Sequence, residues 1–234
     1  MIETADFNNR LWPAIVPEIP VAYLIDARQL GKNALVWPGQ AYAVPGGCDF
    51  DCRHSLMERG EWRGPGAMIV MHYDQIHEYA EQIRMPAADY EWAVLLHEIG
   101  HAVLWKPYGE LPFEPNAEFR AYLRERSQEQ LTAVVANEMP WDNDHALPFV
   151  RRAIHAGYRA KLAGFDIEMS TVAAGFNYGL SPIFKYIEAF ADEPSRLVRS
   201  TFAEIEQTPM PAAANELWDE NMEFYRIVYQ GEER

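Results

Sequence analysis

The stretch AMIVMHYDQIHEYAEQIRMPAADYEWAVLLHEIGHAVL, residues 67–104, changes pattern twice, and its reading decides the fold. Ala67–His72 is a compact apolar run with β-branched members, entered through Gly64-Pro65-Gly66, and it reads as a buried strand. From Asp74 to about Arg84 the spacing turns helical, and Pro86 interrupts it. A second helix is expected from about Asp89 to Trp105, with Asp89 as its N-cap and Lys106-Pro107-Tyr108-Gly109 as its stop. Trp92, Leu95, Leu96, Ile99 and Val103 form a core stripe along that second helix.

Working outward, Val21–Asp26 and the shorter Ala41–Val44 are further candidate strands, so the first third reads as strands and turns. Downstream, a proline-rich loop (Gly109–Pro115) leads to a helix near Asn116–Glu138, and another helix follows Pro148 over about Phe149–Leu162. Residues 166–206 look helical, with breaks at Gly175, at Gly179–Pro182 and at Glu193-Pro194. The tail from Pro209 carries Trp218, Phe224 and Tyr225 and is expected to pack back on the body. Strands early and helices late give an α+β chain: a small N-terminal mixed β-sheet with one central helix, then a mostly helical C-terminal region. Residues 1–162 are taken as the core and 163–234 as a helical extension packed on it, within one domain or as two lobes.

With 234 residues, 49% hydrophobic and 24% charged, the chain is long and apolar enough to bury a proper core. No run of eighteen apolar residues marks a membrane span, and the N-terminus lacks the basic and apolar regions of a secretory signal, so the expected location is the cytoplasm. A net charge of −15 repels phosphate backbones and argues against a nucleic-acid partner. Arg120–Arg126, Arg151, Arg152, Arg159 and Lys161 make a local basic stretch, read as solvated helix faces. The two cysteines cannot form a disulfide framework.

The chemistry lies in His97-Glu98-Ile99-Gly100-His101. On a helix, residues four apart share a face at about 5–6 Å, so two imidazoles can converge on one ion. Zinc is the ion this pattern suits, since it lowers the pKa of a bound water towards about 7. Glu98, one step round the helix, is poorly placed as a ligand and well placed to take the proton of that water. The pattern would arise by chance in roughly two per cent of chains of this composition, and the apolar surroundings favour the functional reading further. Gly100 costs about 1 kcal/mol of helix propensity, which points to close packing at that position.

A strand, a helix and then a His-Glu-x-x-His helix is the order found in the zincin metallopeptidases, which this chain resembles over about Val21–Leu162. The resemblance implies a zincin-like fold, a bound Zn2+, hydrolysis of a peptide or protein substrate, and Ala67–His72 as the sheet-edge strand that helps bind an extended peptide. Such sites normally have three protein ligands. Asp144-His145-Ala146-Leu147-Pro148-Phe149 resembles the His-Gly-x-x-Phe segment of SprT-like and related small metallopeptidases, with Ala146 in place of the glycine. There the histidine is the third ligand and the phenylalanine packs beneath it, which makes His145 the candidate here, oriented by Asp142 or Asp144. Glu118 is the rival, resembling the helix-borne glutamate of thermolysin-like enzymes, whose usual sequence context is absent.

His155, Tyr158 and Tyr178 are possible oxyanion donors, though a structural role suits each of them better. Cys48-Asp-Phe-Asp-Cys52-Arg-His54, with His72 or His77 as a nominal fourth ligand, is too loosely spaced for a structural zinc knuckle. No phosphate-binding loop and no serine-nucleophile elbow occurs. The expected function is therefore zinc-dependent peptide hydrolysis with Glu98 as base. The alternative is a regulatory or non-proteolytic zincin-like protein that binds or acts on one specific protein partner.

Overall fold

The computed structural model describes residues 2–30, 39–43, 55–64, 66–103, 147–174 and 183–230. Three strands form one sheet: β1 (Ala22–Asp26), β2 (Gly39–Ala43) and β3 (Ala67–Met71), in the order β1-β3-β2. β1 runs parallel to β3 in the register Leu24 to Ile69, and β2 runs antiparallel to it with Ala41 facing Ile69. The sheet is thus mixed, and the described residues form a mixed α/β arrangement in which helices predominate. All five side chains of the middle strand β3 are apolar and buried, as a strand covered on both faces requires. The expectation that Ala67–His72 forms the sheet edge is corrected by this order. Among the described residues the edges are β1 and β2.

Period-two alternation then sorts the side chains into two clusters. Ala22, Leu24, Ala67, Ile69 and Met71 face the helices. Tyr23, Ile25, Met68 and Val70 face the other way, onto Leu56 and Trp62, and the Trp62 ring stacks on Tyr23 at 5.5 Å.

His72 closes β3 and caps α1 (Tyr73–Ile83), its Nδ1 accepting from the amide of Gln75 at 3.4 Å. Helix α1 ends at Arg84, held at φ 57°, whose N–H returns to the carbonyls of Ala80 and Glu81. α2 (Ala87–Ala102) begins two residues later with Pro86, not Asp89, at the N-cap. Asp89 sits within the first turn, where a carboxylate is favoured by the helix dipole without accepting a capping bond. The helix stops at Val103, short of the predicted Trp105, which lies outside the described residues.

α2 is buried nearly all round, as its near-continuous apolar sequence requires. It packs on β2 and β3 on one side and on α1, α3 (Leu147–Leu162) and α4 (Met169–Ala174) on the others. α3 crosses α4 where Gly157 leaves no room for a side chain, a Cβ there falling 2.5 Å from Val172 Cγ2. Beyond α4 come α5 (Ile183–Ala189), α6 (Glu193–Arg196), α7 (Phe202–Gln207) and α8 (Ala212–Gln230). The expected break at Glu193-Pro194 falls where α5 has ended and α6 begins, since proline suits a first turn whose amides have no intrahelical partner. Thr201 and Glu204 form a reciprocal capping box at the start of α7. Trp218 packs edge-on against Tyr186 at 6.3 Å, as expected of the tail.

Two readings of the sequence are overturned. The N-terminal segment is helical, Thr4–Asp6, Phe7–Leu11 and Trp12–Ile15 following one another, with Phe7, Leu11 and Ile15 fully buried four residues apart. The arginines of α3 are not solvated: Arg151, Arg152 and Arg159 are 2%, 2% and 4% exposed. Ile167, Tyr186, Phe202 and Leu217 belong to the same apolar cluster as Phe7, Leu95 and Phe149, so the C-terminal helices share the core of the sheet and α2. No helix among the described residues is long and apolar enough to cross a membrane.

Candidate metal centre

Five of the seven histidines lie in the described residues, and three of them have an evident local role. His72 caps α1. His77 Nε2 lies 2.9 Å from Oε1 of the buried Glu91, on the neighbouring helix. His155 is fully buried, with Nε2 2.8 Å from Glu193 Oε1. The remaining two, His97 and His101, face each other, their Nε2 atoms 3.1 Å apart and their ring planes inclined at 70°.

The sequence forces this juxtaposition. The two residues are one helical turn apart near the end of α2, on a helix fixed by burial on every side. Phe149, from the first turn of α3, closes the other side of the rings, with its centroid 4.8 Å from His97 and 4.3 Å from His101. Gly100 makes room for that ring: a Cβ at this position would sit 3.0 Å from Phe149 Cε2. The propensity cost of a mid-helix glycine therefore has a packing cause, as the sequence suggested.

Two nitrogens bound at about 2.0–2.1 Å to one tetrahedral ion stand about 3.3 Å apart. The observed 3.1 Å is close to that spacing, so the imidazole pair fits a zinc ion without rearrangement of the helix. Both histidines are half-buried, and Glu98, between them in sequence and about 100° round the helix from His97, is 6% exposed. A half-buried imidazole pair offers two nitrogen donors to a divalent cation, and a buried carboxylate in the same turn of the helix is a candidate proton acceptor.

His145 and its rival Glu118 lie outside the described residues, as do Asp142, Asp144, Tyr178, Cys48, Cys52 and His54. Among the described residues no group of three His, Cys, Asp or Glu side chains is gathered. His155, for which a structural role was expected ahead of an oxyanion one, belongs to a buried network. Burial holds its imidazole below the ordinary value despite the upward pull of Glu193. Burial also works against ionisation of Glu193, but hydrogen bonds from His155 and Arg151 keep its carboxyl below the ordinary range. A neutral His155 donating from Nε2 to a carboxylate satisfies both directions. Arg151 completes the network with two bonds to Glu193, at 2.7 and 2.9 Å, and a third to the carbonyl of Thr208.

Sequence reasoning missed Arg152, whose Nε donates to the carbonyl of Gly100 at 3.2 Å inside the motif. Its partner is 52 residues away, and no local pattern marks it. No protein-family model, curated protein or solved structure matches the chain.

Proposed function

We propose that the chain is a zinc-dependent metallopeptidase with a zincin-like active site, in which His97, His101 and His145 hold the metal and Glu98 is the general base. The observation that carries this reading is the 3.1 Å separation of the two Nε2 atoms on a buried helix. Phe149 supports His145 as the third ligand, because the start of α3 lies against both imidazoles and His145 is four residues before Phe149.

When bound, zinc would supply Lewis acidity toward a water molecule and the scissile carbonyl. The imidazoles contribute neutral nitrogen donors, and Phe149 fixes their planes. Glu98 takes a proton from the attacking water on its carboxylate and hands it to the departing amine, so the carboxylate is regenerated in each cycle. β2, an edge of the sheet among the described residues and packed against α2, is the strand on which an extended peptide would be seated by backbone pairing.

Glu98→Gln tests the assignment. The variant keeps the size of the side chain and removes its basicity. It should bind zinc with the affinity of the parent chain and lose at least about a hundredfold in hydrolysis of a fluorogenic peptide library. Undiminished turnover would exclude Glu98 as the base. Stoichiometric zinc with no turnover in the parent chain would favour the regulatory, partner-binding reading.

A further inference from the structure

We propose that Arg152 is a positioning residue for the metal-binding turn, and that the C-terminal helix α7 holds it in place through Glu206. The inference rests on the zinc reading above and identifies what keeps His101 in register with His97.

His101 stands in the last turn of α2, where a helix is most prone to fray because its final four carbonyls lack intrahelical amide partners. The amide of Val103 takes the carbonyl of Ile99 at 3.0 Å. The next carbonyl, that of Gly100, receives Arg152 Nε at 3.2 Å. A guanidinium at this point acts as a cap supplied by another helix, and its positive charge faces the negative end of the α2 dipole. The guanidinium is itself anchored, since Nη1 donates to Glu206 Oε1 on α7. The Arg152 side chain is 3% exposed and that of Glu206 42%, so the pair reaches from the protein surface to the backbone between the two histidines. Phe149 lies one turn before Arg152 on α3. One face of α3 thereby fixes both the rings and the backbone of the motif. If the last turn of α2 unwinds, His101 leaves the 3.1 Å spacing while His97, one turn deeper, stays.

The test compares Arg152→Met with Arg159→Met. Arg159 is on the same helix, is equally buried and bonds the carbonyls of Ile15 and Ser200, none of them in α2. In the metal-free protein, amide exchange at His101, Ala102 and Val103 should speed up at least about tenfold in Arg152→Met relative to Leu95 and Leu96. It should stay unchanged relative to those residues in Arg159→Met. The zinc dissociation constant, measured by competition with a chromogenic chelator, should rise about 10–100-fold in Arg152→Met and less than about twofold in Arg159→Met. Glu206→Ala, at a half-exposed position the fold tolerates, should move both readouts in the same direction by a smaller factor. It decides the matter if Arg152→Met does not fold. Equal effects from the two arginine variants, or unchanged exchange in Glu206→Ala and Arg152→Met, would overturn the proposal. A parent chain that binds no zinc would remove the metallopeptidase reading instead, and the exchange data alone would then decide the role of Arg152.

Discussion

Gly100 separates the two ways in which a residue can serve the candidate site. It contributes no ligand and weakens its helix by about 1 kcal/mol relative to alanine. In return the Phe149 ring approaches until an added Cβ would meet it at 3.0 Å. Because Phe149 is fully buried and in contact with both imidazoles, it has little freedom to retreat. Overpacking a filled core costs about 1–3 kcal/mol, which offsets or exceeds the propensity gain. Gly100→Ala should therefore lower the melting temperature, as read by calorimetry of the metal-free chain; a raised melting temperature would mean that the ring yields freely. At this scale much was legible in the sequence. The facing of His97 and His101 follows from spacing alone, and the tight packing at Gly100 follows from a glycine where propensity disfavours one. Arg152 was not legible, because a buried arginine and a solvated one look alike until the partner 52 residues away is known.

Among the elements, α3 connects the motif helix to the C-terminal helices, and its buried polar residues make that connection pH-sensitive. His155 is held below its ordinary value by burial, so the folded chain keeps it neutral where the unfolded chain has begun to bind a proton. The unfolded state then carries the extra proton, and stability falls as the pH drops below about 6.5. The carboxyl of Glu193, also held low, adds a further loss only at more acidic pH, as the pH falls through its own depressed value. The urea midpoint of the parent chain should thus decline between pH 7 and pH 5.5 more steeply than that of His155→Gln. Parallel curves would show that His155 is not kept neutral by the fold. The sequence located α1 and α3 through their apolar periodicity and α2 through its long apolar run, each with a proline or glycine near an end. The zincin resemblance put β3 at the sheet edge and was wrong there, since an all-apolar strand signals burial on both faces but not which neighbours provide it. The N-terminal helices carried a readable signal in Phe7, Leu11 and Ile15, at four-residue spacing, which the neighbouring prolines obscured.

For the whole molecule, one apolar cluster runs from Phe7 to Leu217, with α2 at its centre. Placing the His97–His101 turn on a helix buried nearly all round is a way to hold two imidazoles at a fixed spacing without relying on loops. Every role proposed for His97, Glu98 and His101 depends on whether that spacing serves a metal. The direct measurement is elemental analysis by inductively coupled plasma mass spectrometry of the purified chain after dialysis against trace zinc, alongside a His97→Ala/His101→Ala double variant. One zinc per parent chain is expected, and less than about a tenth of that in the double variant. A parent chain without zinc, or a double variant that retains it, would rule out His97 and His101 as metal ligands.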